Sequence, residues 1–424
     1  MSRVGPVPGG ARPGREGPAG TSGEAPPEVP NDRPPVRLPG PGAGPGPGLR
    51  AAGRAAAPGW VVARAVTVGA LLLARFEVSH LHITDPAARS QSHAGLFGWD
   101  AGFYRGIAAH GYRFGAVPHE ALRFFPLVPL AARTAGWALG GRPGLALLLG
   151  VNACALATAA LLYRLVVEQL GDDALATRSA WLLSVAPPAY VLVMGYAEAP
   201  FLLFVVAFFW ALGGGRPGWA AATGLLAALS RPLGVLLVVP AVVTLVEGGP
   251  AAALAGLRAG AGRRWALVGV AAAPLVGCGI YLSWVQAAYG DWHLPFSVQQ
   301  EGRLRGGVVD PVRSVAHETR VFLQGGHVGS GLHVVWAVVL VGLLAVAARR
   351  LPRSWTAFAA VTLLAALSSR NLDSLERYAL SCFPFVVAAA SLCRRPVVER
   401  AALVLSGAAL GAYALLAFVG ALVP

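Results

Sequence analysis

Long apolar stretches separated by short polar or glycine- and proline-bearing breaks dominate the chain from about residue 60 onward. They fall at roughly 60–76, 124–141, 145–167, 178–196, 199–213, 218–230, 232–246, 265–288, 332–348, 354–369, 378–393 and 400–422. Each is too long and too continuously apolar for a half-buried strand, so the pattern predicts an all-α chain. A helix crossing a bilayer needs about 20 residues. Several stretches are shorter, which predicts tilted or half-length helices among them. Residues 1–58 are dominated by Pro and Gly and have almost no large apolar side chain. A segment of that kind has no core to bury and is expected to be disordered. The first apolar run starts too late for a cleaved signal peptide and reads as an uncleaved anchor. The expected organisation is a tail over 1–58 and a membrane domain over 59–424.

Composition supports this plan. The 424 residues are 55% hydrophobic and 13% charged, against about 25% charged in an ordinary soluble domain. The net charge of +14 comes entirely from arginine. It does not indicate nucleic-acid binding, because the arginines sit in short loops between apolar runs and form no single basic face. Cys154, Cys278, Cys382 and Cys393 lie in or beside apolar runs without a CxxC pair, so they read as small buried residues.

Charge also sets orientation. If all twelve stretches cross and the tail is cytoplasmic, Arg258/Arg263/Arg264, Arg349/Arg350/Arg353 and Arg394/Arg395/Arg400 all fall outside, against the positive-inside tendency. If 124–141, which holds Pro126, Pro129 and Arg133, lies along the interface instead, the parity flips and all three clusters become cytoplasmic. The expectation is therefore about eleven crossings, a cytoplasmic tail and an outer C-terminus. All nine histidines then share the outer face with Asp100, Glu198, Arg231, Asp291, Glu301, Arg303, Asp373, Glu376 and Arg377. The two longest loops, about 77–123 and 289–331, are on that face too. Polar chemistry gathered on one face points to a site there.

Asp100, in Gly98-Trp-Asp-Ala-Gly-Phe-Tyr104, is the first candidate. It reads either as a helix N-cap or loop carboxylate paired with Arg105, or as a general base that takes a proton from an attacking hydroxyl. Trp99 and Tyr104 either stack on a sugar ring or anchor the loop at the headgroups. Glu198, in Met194-Gly-Tyr-Ala-Glu-Ala-Pro200, is either a solvated carboxylate at a helix start or a positioning group for an acceptor. Arg231, in Leu229-Ser-Arg-Pro-Leu-Gly234, is either a snorkelling turn residue or a phosphate clamp, since its planar fork matches phosphate oxygens. Tyr289–Arg303 mixes aromatics, amides, Asp291 and Arg303, which suits sugar and phosphate contacts or an interfacial belt. Arg377-Tyr378 is placed to touch a donor phosphate, with Asp373 or Glu376 neutralising Arg377 or Arg370. His80-x-His82 lacks a third ligand at a telling spacing. There is no phosphate-binding glycine loop, dinucleotide fingerprint or GxSxG.

Taken together, Trp99-Asp100 with Tyr104, Ile107-Ala108, Gly111-Tyr112, Phe124-Phe-Pro-Leu-Val-Pro-Leu130, Pro187, Tyr196-Ala-Glu198, Ser230-Arg-Pro-Leu-Gly234 and Arg377-Tyr378 with Pro384 resemble, in order, the PIG-V-like family of mannosyltransferases of the GPI mannosyltransferase II type. The resemblance covers about 60–395. The chain departs from the family's Tyr-Ser-Glu at Ala197 and from its Thr-Arg-Ser-Asn-Gly at Pro232 and Leu233, while keeping Glu198 and Arg231. The resemblance implies a GT-C architecture with interfacial helices in the first outer loop. It also implies a polyprenyl-phosphate-mannose donor and an acceptor on a glycolipid or other outer-face molecule. The expected enzyme is a multi-pass protein of a bacterial plasma membrane. It transfers mannose or a related hexose with inversion, with Asp100 as base and Arg231, Arg303 and Arg377 on the phosphate. No cofactor is expected, although an Asp100/Glu198 pair offers a place for a divalent metal. The alternative reading is a transporter or flippase of lipid-linked sugars. It fits less well, because few polar groups other than Arg64, Arg75 and Arg164 interrupt the spans.

Overall fold

The computed structural model describes Gly5 and residues 48–81, 85–113, 118–247, 260–301, 305–325 and 328–423. The regular structure of these residues is helical; the β-structure among them is one isolated antiparallel bridge between Val308 and Ser369. The first helix, α1 (Leu49–His80), begins upstream of the 58/59 boundary expected from composition and carries Pro58 inside it. Leu49–Pro58 is alanine-rich, and Ala52 and Ala56 are fully buried, so tertiary packing extends the helix into a stretch whose Gly and Pro content argued against one. Most of the expected tail lies outside the described residues.

The long loop after α1 is built from α2 (Pro86–Ala94), a 3-10 turn Gly95–Phe97, α3 (Asp100–His110) and a 3-10 turn His119–Arg123. The 124–141 stretch becomes α4 (Leu127–Ala138), about 18 Å long at 1.5 Å per residue. That is too short to cross alone, in keeping with an interfacial piece. The stretches α5 (Pro143–Leu170), the Arg264–Tyr289 part of α10 (Gly260–Tyr289), the Gly331–Arg350 part of α13 (Val328–Arg350) and α17 (Pro396–Phe418) are each long and apolar enough to cross a bilayer. Shorter apolar helices supply the rest: α7 (Glu198–Gly213), α8 (Pro217–Ser230), α9 (Val238–Glu247) and α14 (Arg353–Leu367). Two expected spans are broken. Residues 178–196 divide into α6 (Asp173–Val185) and a 3-10 turn Pro187–Leu192, where Pro187-Pro188 cannot continue the helix. Residues 378–393 fall in α15 (Leu375–Leu380) and α16 (Phe383–Leu392). The second long loop holds two further short helices, α11 (Leu294–Gln299) and α12 (Pro311–Leu323).

Helix α7 runs through the core. Phe201, Leu202, Val205, Val206, Phe208 and Phe209 are all almost inaccessible, and Phe209 packs edge-on to Trp355 and Phe383. At the periphery the pattern inverts. Trp137, Trp219, Trp265, Val338, Val404 and Leu405 are exposed, a distribution suited to lipid rather than water. The chain is thus an all-α membrane protein.

Non-helical backbone inside such a bundle must have its carbonyls satisfied internally. Arg64 on α1 donates from Nη2 to the Leu192 carbonyl (2.9 Å) and from Nε to Asn152 Oδ1 (2.9 Å). Asn152 on α5 donates in turn to the Val193 carbonyl (3.1 Å). The arginine and asparagine that interrupt two apolar spans therefore hold the end of the 3-10 segment, which leads directly into Glu198.

Candidate functional site

Each charged residue of the site sits where a helix starts, stops or breaks. Asp100 opens α3, and the residue before it, Trp99, has φ 54° and ψ −134°, a conformation costly for a residue with a Cβ. Trp99 is held there by its own N–H donating to Gln91 Oε1 (3.0 Å) and its indole Nε1 donating to the Ala417 carbonyl (2.9 Å). Glu198 occupies the first turn of α7, where its charge complements the helix dipole. Arg231 ends α8 in an extended conformation (φ −154°, ψ 147°), as expected before Pro232. Arg377 lies on α15, whose N-cap Ser374 is the second non-glycine residue at positive φ (71°).

These four ends converge into one ion network. Asp100 Oδ2 accepts from Arg377 Nη1 at 2.6 Å and Oδ1 accepts from Arg123 Nη2 at 3.1 Å. Glu198 Oε1 lies 2.8 Å from Arg231 Nη1 and 3.3 Å from Arg377 Nε. Arg231 Nη1 also donates to Ser381 Oγ (3.1 Å). Glu198 and Arg231 are only 2% and 7% exposed, and Glu198 Oε2 has no hydrogen-bond partner among the described residues. Burial raises the Asp100 carboxyl, but Arg377, Arg123 and Arg231 more than offset it, so the group is held below the usual carboxylate range. Burial, followed by the Glu198 charge, pushes the Tyr104 phenol well above its usual range, so it stays a neutral hydroxyl.

The network faces a cavity of about 350 Å³ lined by Asp100, Tyr104, Glu198, Arg231, Arg377 and Tyr378. Arg123 and Arg305 complete its polar wall; Phe124, Phe125, Leu233, Leu236, Pro295 and Phe296 make an apolar one. Four guanidiniums face two carboxylates, leaving a surplus of two positive charges. Arg305 lies over the Tyr378 ring at 4.2 Å and Arg231 at 5.5 Å. Arg123 lies over Phe124 at 4.6 Å.

Of the residues expected from sequence, six line the cavity: Asp100, Tyr104, Glu198, Arg231, Arg377 and Tyr378. Trp99 does not; its indole is spent on the Ala417 carbonyl, and it acts on the site by fixing the start of α3. Arg303 lies outside the described residues, as does His82. Three pairings come out differently from the sequence reading. Asp100 does not pair with Arg105, whose guanidinium lies over Phe97 at 4.9 Å. Nor does its side chain cap α3. Asp373 and Glu376 neutralise neither Arg377 nor Arg370 but accept from His333, at 3.3 and 3.0 Å. In each case a group brought in from elsewhere in the fold, Arg377 and Arg123 at Asp100 and His333 at Asp373 and Glu376, takes the place of the arginine nearby in sequence.

Sequence reasoning missed Arg123 and Arg305. Arg123 directly precedes the Phe124-Phe125-Pro126 motif, and a cation beside an aromatic pair was the available signal. Arg305 is two residues from the expected Arg303. Among the described residues, no group of three or more His, Cys, Asp or Glu side chains is arranged to hold a metal ion, and Arg377 stands between Asp100 and Glu198.

The Ser230–Gly234 turn admits a direct check. A Cβ on Gly234 would come within 2.5 Å of Ala227 C and Ala228 Cα, the backbone of the preceding helix. Gly234→Ala is therefore expected to force Arg231 away from Glu198. It should lower thermal stability of the detergent-solubilised protein, whereas Gly262→Ala, which meets open space, should leave it unchanged.

No protein-family model matches the chain, and no curated protein sequence matches it. Two crystal structures of the Archaeoglobus fulgidus oligosaccharyltransferase are similar to it over 84% of its length. One is a complex with Zn and sulfate, at 15% identity; the other is tethered through a disulfide bond to an acceptor peptide containing the NVT sequon, at 13% identity. The TM-score is 0.43 in both cases. The chain spans about half the length of those proteins, 53% and 55% respectively.

Proposed function

We propose that the cavity binds a polyprenyl-phosphate-linked hexose, mannose in the first instance, and transfers the sugar with inversion to a hydroxyl on an outer-face acceptor. The observation that carries this reading is the cavity's charge. Four arginines against two carboxylates attract an anion and leave a surplus for charge that grows during reaction. A sugar phosphodiester becomes a phosphate monoester when its glycosidic bond breaks, so the surplus favours the transition state over the bound donor. The resemblance to PIG-V-like mannosyltransferases at Trp99-Asp100, Glu198, Arg231 and Arg377-Tyr378 supports the choice of donor and of a GT-C architecture.

Asp100 is the base in this scheme. Its carboxylate removes the acceptor proton as the acceptor oxygen attacks C1, the C1–phosphate bond breaks, and the electron pair leaves with the phosphate. A carboxylate gripped by two guanidiniums is a poor base. The donor phosphate relieves this by competing for Arg377, the shorter of the two contacts (2.6 Å), and so frees Oδ2. The phosphate needs no general acid, because it is a stable anion once Arg231, Arg305 and Arg377 surround it.

The test is transfer by the purified chain in liposomes. Radiolabelled polyprenyl-phosphate-mannose should lose its label to an added outer-face glycolipid acceptor. If label crosses the bilayer still attached to the lipid, with no product formed, a flippase is the better reading. The pH dependence adds a second check. A depressed carboxylate contributes stability that is present above its unfolded pKa of about 3.9 and lost as pH falls through the lower folded value. The acid limb of kcat/KM due to Asp100 in the free enzyme should thus lie below about pH 4. The limb of kcat should lie higher, because the bound phosphate has drawn Arg377 away. An Asp100-dependent acid limb of kcat/KM near pH 6 would contradict the ion network.

A further inference from the structure

A second cavity, of about 490 Å³, adjoins the first across Arg305, which lines both. Its wall includes His317, Glu318, His333, Arg370, Asn371 and Asp373. The volume is that of a ligand pocket rather than a packing void. Helix α12 contributes to it in an unusual way. The buried positions on α12 are polar, with Ser314 at 1% and Glu318 at 6% exposure, while Val312, Phe322 and Leu323 are exposed. The outer face is mixed, since Arg313, His317 and Arg320 are exposed as well, but the most deeply buried positions are the polar Ser314 and Glu318, and Glu318 faces the cavity.

Glu318 is the informative residue. It is more than nine-tenths buried, lines the cavity, and makes no hydrogen bond or ion pair among the described residues. Its oxygens are not among the fully enclosed unpartnered atoms, so the carboxylate opens onto the cavity with its acceptor positions unused by the protein. Nearby His333 does not supply the missing partner, since its two ring nitrogens are taken by Glu376 and Asp373.

The charges on the wall select the ligand. Glu318 and Asp373 repel an anion, Arg305 and Arg370 repel a cation, and the two carboxylates balance the two guanidiniums, while Glu376 beside the wall offsets His333. No metal-binding group of three ligands is present among the described residues. Alternating acceptors and donors around a neutral space suit hydroxyls, each of which both donates and accepts.

We infer that this second cavity binds a neutral saccharide, the sugar part of the acceptor, with Glu318 accepting from one of its hydroxyls. The inference rests on the proposed transfer only for the word acceptor; saccharide binding stands or falls without it. Arg305, shared by the two cavities, then contacts both the donor phosphate and the acceptor sugar.

The experiment is saturation-transfer NMR on the full chain in nanodiscs, with methyl α-mannoside, methyl α-glucoside and methyl α-galactoside as probes. At least one should receive saturation from the wild-type protein. The signal should survive excess polyprenyl phosphate, which occupies the first cavity, and should survive Asp100→Asn. It should fall at least about fivefold in Glu318→Leu. Because Glu318 has no partner to lose, Glu318→Leu should melt no lower than the wild type, and Glu318→Gln should behave alike. The proposal is overturned if no probe binds, if polyprenyl phosphate displaces the probe, if Glu318→Leu binds normally, or if Glu318→Leu and Glu318→Gln both melt lower. A chain that binds a probe but never transfers mannose from the lipid donor would refute the transfer reading and leave this one intact.

Discussion

Asp100→Asn should reduce sugar transfer by about 10²–10⁴-fold, the usual worth of a general base, while donor still binds. The amide keeps the shape of the carboxylate and one of its two acceptor oxygens, but it cannot take the acceptor proton. The variant also leaves Arg123 and Arg377 without their shared counter-charge, so stability must be followed in parallel. A melting temperature close to that of the wild type, with transfer lost, isolates the chemical role. Asp100→Glu restores the charge but lengthens the side chain inside a site where Oδ2 is 2.6 Å from Arg377. It should recover stability more than rate. If Asp100→Asn transfers mannose at the wild-type rate, the base lies elsewhere.

The largest structural effect is expected at Glu198. This carboxylate is 2% exposed and touches both Arg231 and Arg377. Removing one partner of a buried ion pair costs about 3–5 kcal/mol, because the other charge stays desolvated and uncompensated. Glu198→Leu should therefore unfold at clearly lower temperature or denaturant concentration than the wild type. Adding Arg231→Met removes one stranded cation and fills similar space with an apolar side chain beside Phe201 and Tyr378. The double variant should regain part of the lost stability, giving a coupling energy measurable in a double-mutant cycle. It should regain no transfer, because the proposed phosphate ligand Arg231 is gone. Additive losses in the cycle would mean that the 2.8 Å contact contributes nothing to the fold.

The two strained residues fit this picture. Trp99 and Ser374 are the non-glycine residues at positive φ among the described residues, and they immediately precede α3 and α15, which carry Asp100 and Arg377. Backbone strain of this kind is kept where the surroundings over-determine the geometry. At Trp99 the surroundings are the Gln91 side chain and the Ala417 carbonyl at the far end of the chain. The 2.6 Å approach of Asp100 to Arg377 thus depends on α17 as well as on the loop that contains Asp100.

Much of the architecture was readable from the chain because it follows from local rules. An unbroken apolar run has nowhere to go but a bilayer or a core, so α5, α10, α13 and α17 follow from composition alone. An Arg-Pro step marks a break, and Arg231-Pro232 is where α8 stops; the break at Pro187-Pro188, inside a stretch read as one span, emerged only in the fold. Asp100, Glu198, Arg231 and Arg377 stood out because a charge at the end of an apolar run is costly without a partner. Tertiary structure alone decided which charge meets which. Asp100 and Arg377 are 277 residues apart, and no local pattern distinguishes that pairing from Asp100 with Arg105. The same limit hid Arg123 and Arg305, which look like ordinary loop arginines until the fold turns them into a cavity wall. It hid Glu318 as well, whose burial without a partner is a property of the space around it and leaves no trace in the residues beside it.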